Sequence, residues 1–182
     1  MTLGVALGLA FTFVSVERGL GFGAVTAGPW TAWPRTGARD ADPYARAVLS
    51  RSGETPLGTA EGLSFIARTD SAGALLDPRC DYTIGGATPA ARWWTLTAMT
   101  PEGRLIDNRA RVNGFTSSEV ARDAEGGFEI IASSAARPGN WLPLSRSSPF
   151  IFVLRLYDTT MSATASALDG SSMPAISRRR CP

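Results

Sequence analysis

Histidine and lysine are absent from this chain of 182 residues, so all 18 basic residues are arginines. Histidine is the commonest general base and metal ligand of proteins, and without it a Ser-His-Asp triad is excluded. The two cysteines are too few for a zinc site made from histidine and cysteine. The composition therefore argues against an enzyme, although aspartate, glutamate, tyrosine and cysteine remain able to carry acid-base chemistry.

Two further signatures of enzymes are missing. No serine lies in a Gly-x-Ser-x-Gly elbow, and no glycine-rich nucleotide-binding motif is present. We predict no metal, no cofactor and no nucleic-acid partner. The enzymatic alternative that stays open is a pair of carboxylates acting on a polymer of the cell envelope, as in glycoside hydrolysis. Its candidates are Glu61, Asp77, Asp81 and Asp107.

The chain is long enough for one domain with a core, since 44% of its residues are apolar. Five short motifs follow one another along the chain: Gly28-Pro29-Trp30, Asp42-Pro43-Tyr44-Ala45-Arg46-Ala47, Arg92-Trp93-Trp94-Thr95-Leu96-Thr97, Gly139-Asn140-Trp141-Leu142-Pro143 and Leu154-Arg155-Leu156-Tyr157. In these motifs and their order the chain resembles the DUF1214 family over residues 28–182. The resemblance implies a small β-sandwich, alone behind an N-terminal membrane segment or fused after a DUF1254 domain, with no established activity.

The N-terminal run 2–16 has no charge and is rich in leucine, valine, alanine and phenylalanine. It predicts a transmembrane helix, with residues 1–27 as a membrane anchor, although fifteen residues rise only about 22 Å against a hydrocarbon core of about 30 Å. Gly4 and Gly8 are spaced as a small-xxx-small face, which favours pairing with another helix. The bilayer and a membrane or envelope protein are therefore the predicted partners.

The sequence gives conflicting signals about the side of the membrane on which the soluble domain lies. The first arginines, Arg18, Arg35 and Arg39, follow the apolar run, and the positive-inside rule would then leave the globular part in the cytoplasm. The family resemblance and the pair Cys80 and Cys181 favour the periplasm, where a disulfide between the two persists. The alternative is a buried Cys80 and an unpaired Cys181. We predict a single-pass protein of the inner membrane with its soluble domain in the periplasm.

The soluble part is predicted to be mainly β. Residues 28–56 hold an extended linker, whose Trp30 and Trp33 either reach the lipid headgroups or pack on the domain, and one short helix. Asp42 and Pro43 start that helix and Gly53 stops it. Residues 57–160 form an antiparallel β-sandwich or jelly roll, and residues 161–182 an irregular tail. The predicted strands are 63–69, 81–84, 92–99, 104–106, 118–122, 128–133 and 150–157. Hairpin turns are predicted at 70–73, 101–103 and 123–127.

Candidate binding residues come from the period-two pattern of strands. It places Arg92 and Trp94 on one face of their strand and Arg155 and Tyr157 on one face of the last. If both faces line the interior, the four side chains form an anion pocket with stacking walls. The alternative is that each arginine pairs with a carboxylate such as Glu61, Asp81 or Asp158, and its stem covers a tryptophan.

Two further candidates have competing interpretations. Trp141 lies on a predicted loop, either as an aromatic binding platform or as a core residue. The arginine run 178–180 is either a contact to anionic lipid or a solvated tail. Together these features predict a membrane-anchored envelope domain that acts by binding, as an accessory or scaffold subunit. The alternatives are a small-molecule or carbohydrate-binding module using the arginine and tryptophan pocket, and the carboxylate-dependent enzyme.

Overall fold

The computed structural model describes residues 2–17, 23–52, 56–58, 60–159 and 170–181. Strands predominate in this part of the chain, which confirms the mainly β fold, and the helices α1 (Thr2–Glu17) and α2 (Pro43–Ser52) flank the first two strands. The strands are β1 (Val25–Ala27), β2 (Trp30–Ala32), β3 (Gly62–Ala67), β4 (Asp81–Gly85), β5 (Trp93–Met99), β6 (Gly114–Thr116), β7 (Glu129–Ser133), β8 (Asn140–Pro143), β9 (Ile151–Tyr157) and β10 (Ala175–Arg180).

The strands form two sheets. The larger has six strands in the order β1-β2-β3-β9-β5-β6, and the smaller has four in the order β10-β4-β7-β8. All pairs are antiparallel except β7 and β8, which run parallel with Ile131 opposite Trp141. The prediction of purely antiparallel sheets is therefore corrected at this pair, where the loop 134–139 carries the chain back to the start of its neighbour.

The core lies between the two sheets, because the inward side chains of both belong to one buried cluster. The ring of Tyr82 on β4 meets Phe150 and Phe152 edge-on, with centroids 5.9 and 6.3 Å apart. Trp30 is completely buried, and its indole N–H donates to the carbonyl oxygen of Pro174 at 2.7 Å. Trp30 therefore packs on the domain, whereas Trp33 is half-buried beside it.

The three predicted turns are confirmed, and aspartate and glycine act in them as expected. Oδ1 of Asp70 accepts the N–H groups of Ala72 and Ala74 at 3.1 and 2.9 Å. Gly73 has a φ of 84°, which glycine adopts without a Cβ penalty. Single antiparallel bridges close the three turns, Thr69 to Leu75, Met99 to Leu105 and Arg122 to Phe128.

The N-cap of α2 also follows the prediction. Oδ1 of Asp42 accepts the backbone N–H groups of Tyr44 and Ala45, both at 3.0 Å. Pro43 occupies the first helical position, where its missing N–H leaves no bond unmade. The predicted stop at Gly53 lies outside the described residues.

Several strand predictions were wrong. Segments 104–106 and 118–122 form only isolated bridges, while β1, β2, β6, β8 and β10 were not predicted. The tail assigned as irregular contains a 3-10 helix (Gly170–Ser172) and β10; its residues 161–169 lie outside the described part. β10 was missed because its sequence, Ala-Ile-Ser-Arg-Arg-Arg, has little strand character, and its pairing with β4 is set by tertiary contacts.

A disulfide ties β10 to the sheet. Cys80 immediately precedes β4, Cys181 follows β10, and their sulfurs are bonded with Cα atoms 4.2 Å apart. The arginine run is part of this strand and is not a solvated tail. Arg178 forms an ion pair with the buried Asp70, with Nε 3.1 Å from Oδ2, and Arg179 donates a hydrogen bond to the hydroxyl of Thr83 at 2.8 Å.

The four outermost strands of the sheets are short or irregular. β1 and β6 have three residues each, and β8 has four and ends at Pro143, which has no N–H to offer. β10 carries three arginines, and its register shifts between Arg178 and Arg180. These are features that blunt the borders of natural sheets.

The N-terminal helix α1 has sixteen residues and lies next to α2. Within the described residues, no helix combines the length and the apolar character that crossing a membrane requires. The transmembrane assignment of α1 is therefore left without support. Among the α1 residues whose burial is described, the large apolar side chains are exposed: Leu3, Val5, Leu7, Leu9, Phe11, Phe13 and Val14.

Candidate functional site

The predicted anion pocket is divided by the register of the six-stranded sheet. β5 and β9 place Trp93 opposite Tyr157, Thr95 opposite Arg155 and Trp94 opposite Leu156. Residues directly opposite each other share a face. Arg155 and Tyr157 therefore lie on the outer face with Trp93, whereas Trp94 points into the core.

Trp94 is a core residue. It is almost completely buried, and its ring lies 4.9 Å from that of Phe128, centroid to centroid. The prediction that Trp94 shares a ligand pocket with Arg155 and Tyr157 is therefore wrong. Arg155 and Tyr157 share a face of β9 as predicted. Arg92 does not share one with Trp94, because it lies before β5 with its side chain 82% exposed, whereas Trp94 is buried.

Trp93 replaces Trp94 as the partner of Tyr157. The two ring centroids are 5.4 Å apart and the planes are tilted by 42°. Trp93 is 40% exposed, and Tyr157 is half-buried. On the other side of Tyr157, β3 places Gly62, which has no side chain. The two rings therefore form an accessible aromatic surface on the outer face of the sheet.

Trp93 and Tyr157 each have a charged neighbour in the chain. Nη1 of Arg92 lies 3.6 Å from Oδ2 of Asp158, and the two side chains are 82% and 71% exposed. The alternative to an anion pocket, in which each arginine pairs with a carboxylate such as Asp158, predicted this ion pair. The pair lies in solvent, however, where an ion pair contributes little to stability. We call the group formed by Glu61, Arg92, Trp93, Tyr157 and Asp158 the aromatic corner.

The backbone positions the aromatic corner through an unusual bend. Asp158 has a φ of 49°, in the left-handed region that aspartate enters more readily than most residues. Its N–H donates to the carbonyl oxygen of Glu61 at 2.8 Å, and the N–H of Arg92 donates to that of Tyr157 at 3.1 Å. These bonds hold the ends of β3, β5 and β9 together.

Next to the aromatic corner, the outer face is polar. Arg155 is half-buried between Ser64 of β3 and Thr95 of β5. The hydroxyl of Ser64 and the indole N–H of Trp33 are buried and have no hydrogen-bond partner. Buried polar atoms without a partner are uncommon and call for an explanation such as a bound water.

Trp141 does not present a free platform. It lies on the outer face of β8 and is half-buried, and its indole N–H donates to the carbonyl oxygen of Ser133 at 3.0 Å. Its neighbour Asn140 is more central. The buried amide of Asn140 accepts from the N–H of Ala121 at 2.7 Å and donates to the carbonyls of Ala121 and Glu129 at 2.8 and 2.9 Å.

Two of the candidate carboxylates are engaged by arginines. Oδ2 of Asp81 accepts from Nη2 of Arg137 at 2.6 Å. Arg79 donates to both oxygens of Asp77, and these bonds lower the pKa of Asp77 to about 2. Such a carboxyl is ionised at neutral pH and is a poor general acid. No cluster of three potential metal ligands occurs in the described part of the chain.

A shallow depression of about 390 Å³ lies on the loop after β5. Its central polar group, Asn108, is already engaged within the loop. The side-chain amide donates to the carbonyls of Ile106 and Val112, and its oxygen accepts the N–H of Val112 at 3.1 Å. The depression is lined by Leu105, Ile106, Asp107, Asn108, Arg111 and Asn113.

Gly4 and Gly8 both lie in α1. A Cβ built on either glycine would meet no other atom within 4 Å. The two positions form an open face of an exposed helix, and the predicted pairing with another helix remains a prediction.

Comparison with known proteins matches the family expected from the motifs. The model described as "Protein of unknown function (DUF1214)" covers residues 61–161, more than half of the chain. Every residue of the aromatic corner falls within that range. A search of curated proteins finds no match.

Two solved structures are similar to the chain. The first is the VPA0106 protein from Vibrio parahaemolyticus, with 20% identity and a TM-score of 0.63 over 98% of this chain and 44% of that one. The second, an uncharacterised protein from Burkholderia cenocepacia, has 16% identity and a TM-score of 0.47 over 96% and 50%. The chain thus spans half or less of the length of either protein, and the first likeness shows a shared fold.

Proposed function

Given that the chain belongs to the DUF1214 family, whose description assigns no reaction, we propose that it is a membrane-anchored domain of the bacterial envelope that acts by binding, as an accessory or scaffold subunit of a membrane protein assembly. The observation that carries this proposal is the exposed apolar surface of α1. Successive residues of a helix are about 100° apart, so the seven exposed side chains of α1 are spread around its circumference. Helices that are apolar all round are normally covered by protein or lipid.

The bilayer is the cover that we propose for α1. Sixteen residues rise about 24 Å, which is shorter than the hydrocarbon core of about 30 Å. A short apolar helix is accommodated by thinning of the surrounding bilayer or by oligomerisation, at a modest cost. Association with a second helix at Gly4 and Gly8 would bring this domain to a membrane partner, because small residues let two helix backbones approach closely.

The disulfide supports a location outside the cytoplasm. Disulfides persist in the periplasm and are rare in the reducing cytosol, and Cys80 is bonded to Cys181. We therefore propose an inner-membrane protein with α1 in the bilayer and both sheets in the periplasm.

Fractionation of the full-length chain in a bacterial host tests the anchor. We expect the wild-type protein to sediment with membranes and to be released by detergent but not by alkaline carbonate. Leu7→Arg should shift a large part of it to the soluble fraction, because an arginine in the middle of a membrane helix costs about 2.5 to 3.5 kcal/mol. Leu105→Arg is the matched control, since Leu105 is 57% exposed and Leu7 63%.

The same preparations test the accessory role. Size exclusion in mild detergent followed by mass spectrometry should recover a stoichiometric membrane protein with the wild-type chain. Gly4→Leu/Gly8→Leu should remain in the membrane and lose that partner. A wild-type chain found in the soluble fraction contradicts the anchor, and a lone monomer in detergent contradicts the subunit role.

A further inference from the structure

We propose that the segment 35–46, which leads into α2, binds the phosphate groups of anionic phospholipids at the membrane surface. This inference rests on the proposed function, because it takes α1 to lie in the bilayer. It adds a lipid class to that anchor and a second contact, made by arginine side chains outside α1. We call the exposed arginines Arg39 and Arg46 the basic pair.

The position of α2 is the first argument. α1 lies next to α2, so an α1 in the bilayer brings α2 to the membrane. Arg46 lies on an exposed side of α2, and an arginine in the hydrocarbon core is costly. The headgroup region accepts an arginine, because its charged end can reach water and phosphate while its stem covers apolar surface. α2 therefore lies at the surface of the membrane.

The acidic residues of the segment are engaged elsewhere. Asp40 forms an ion pair with Arg35. Oδ1 of Asp42 accepts the N–H groups of Tyr44 and Ala45 at the start of α2, both at 3.0 Å. Each of the two carboxylates thus has a partner other than the basic pair.

The basic pair has no carboxylate partner among the described residues. Nη2 of Arg46 donates to the backbone carbonyl of Arg39 at 2.7 Å, which places this guanidinium beside the backbone of the other arginine. A guanidinium carries five N–H donors, so both side chains keep donors for a ligand. Arginine binds phosphate through two parallel hydrogen bonds. The basic pair therefore suits the phosphate of a lipid headgroup.

The charge of the segment selects the lipid. Residues 35–46 contain three arginines and two aspartates, which leaves a net positive charge. A zwitterionic headgroup gives no net attraction to such a segment. Anionic lipids, in contrast, favour the membrane-bound state by roughly fivefold for each basic residue near the surface. The predicted lipid is therefore anionic, and phosphatidylglycerol is the probe that we choose.

Lipid selection by the full-length chain tests the proposal. The chain is purified in mild detergent and equilibrated with mixed micelles of phosphatidylglycerol and phosphatidylcholine in equal amounts. After free micelles are removed, the phospholipid that stays bound is quantified by class. We expect the wild type to retain phosphatidylglycerol in roughly tenfold excess at low salt. The excess should largely disappear at about 1 M salt, where the Debye length is about 3 Å.

Charge variants in both directions identify the groups responsible. Arg39→Gln and Arg46→Gln should each lower the excess by roughly twofold to fivefold, and the double variant should bring it close to equality. Arg46→Lys keeps the charge and should retain most of the excess. Asp40→Asn frees Arg35 from its ion pair and should raise the excess, which a variant that merely damages the fold would not do.

Arg109→Gln/Arg111→Gln is the matched control. It removes two exposed arginines from the loop between β5 and β6, at the border of the six-stranded sheet opposite to β1, and should leave the excess unchanged. Equal retention of the two lipids by the wild type, an unchanged excess in Arg39→Gln/Arg46→Gln, or an equal loss in the control would each overturn the proposal.

These outcomes are distinct from failure of the anchor. A wild-type chain that sediments with membranes but retains both lipids equally keeps the anchor and discards the phosphate contact. A wild-type chain found in the soluble fraction that still retains phosphatidylglycerol through the basic pair discards the anchor and keeps the lipid site.

Discussion

Trp93 and Trp94 are consecutive residues of β5 that lie on opposite surfaces of the six-stranded sheet. Trp93 pairs with Tyr157 on the outer face, with ring centroids 5.4 Å apart. Trp94 packs against Phe128 between the sheets at 4.9 Å. The same side chain at two adjacent positions therefore has different surroundings, one partly exposed on the outer face and the other buried in the core.

This difference gives a direct test of the fold. Trp94→Ala should lower the free energy of unfolding by about 3 to 5 kcal/mol, because it removes a large buried ring and leaves a cavity. Trp93→Ala should lower it by about 1 kcal/mol, the order expected for an exposed aromatic pair. Urea denaturation of both variants measures the difference, and equal losses would contradict the assigned faces.

Removal of the disulfide should weaken the attachment of β10. Cys80 and Cys181 are 101 residues apart, and closing a loop of that length stabilises the folded state by roughly 4 to 5 kcal/mol in the chain-entropy model. We expect Cys181→Ser to lower the denaturation midpoint under non-reducing conditions and to abolish the effect of added reductant. Ser177→Ala, an exposed change in the same strand, serves as the control. A midpoint equal to that of the wild type would show that the bridge is not formed.

Asn140 should be among the most sensitive polar residues. Its buried amide makes three hydrogen bonds that join β8 to Ala121 and Glu129. Asn140→Ala leaves these backbone groups without partners, and we expect a loss of about 2 to 4 kcal/mol. Asn113→Ala, which removes one side-chain hydrogen bond from Asn108, should cost less than about 1.5 kcal/mol. Equal denaturation midpoints for the two variants would contradict the role of Asn140.

Acid should remove one contribution to stability through Asp77. The bonds from Arg79 lower the pKa of Asp77 from 3.8 to about 2. A carboxyl whose pKa is lower in the folded state stabilises it above the unfolded pKa, and the contribution is lost as pH falls through the folded value. Stability should therefore decrease between about pH 4 and pH 2.

Two variants check this assignment. Asp77→Asn and Arg79→Ala should both flatten the decrease in the denaturation midpoint over that pH range, because the side-chain bond from Arg79 is the main cause of the low pKa. If the midpoint of the variants decreases as steeply as that of the wild type, a group other than Asp77 causes the acid sensitivity. Glu102→Gln on an exposed turn tests the next candidate, since a bond from Thr100 lowers the pKa of Glu102.

Local chemistry made part of this fold predictable. Asp42 and Pro43 predicted the start of α2 because an aspartate cap and a proline at the first position satisfy the free N–H groups of a helix. The turn at Asp70 and Gly73 followed from the same kind of argument. Three of the five motifs that predicted the family, those at 92–97, 139–143 and 154–157, lie within the matched residues 61–161.

The long-range pairing of strands was harder to predict from the sequence. The sequence placed Arg155 and Tyr157 on one face of β9, but whether that face meets Trp93 or Trp94 depends on a register that a shift of one residue would invert. β8 and β10 were missed because one runs parallel to its neighbour and the other is rich in arginine. The alternation of residues along β9 could have indicated the correct face. Phe152, Leu154 and Leu156 are apolar and are expected in the core, which leaves Arg155 on the outer face.

The borders of the two sheets bear on how this domain meets other molecules. Three-residue strands, a terminal proline and a strand of arginines give an incoming strand few backbone groups in register. Neighbouring copies are thereby discouraged from joining edge to edge into fibres. The proposed binding would therefore use side chains on the sheet faces and on α1, where a substitution leaves the backbone at the borders unchanged.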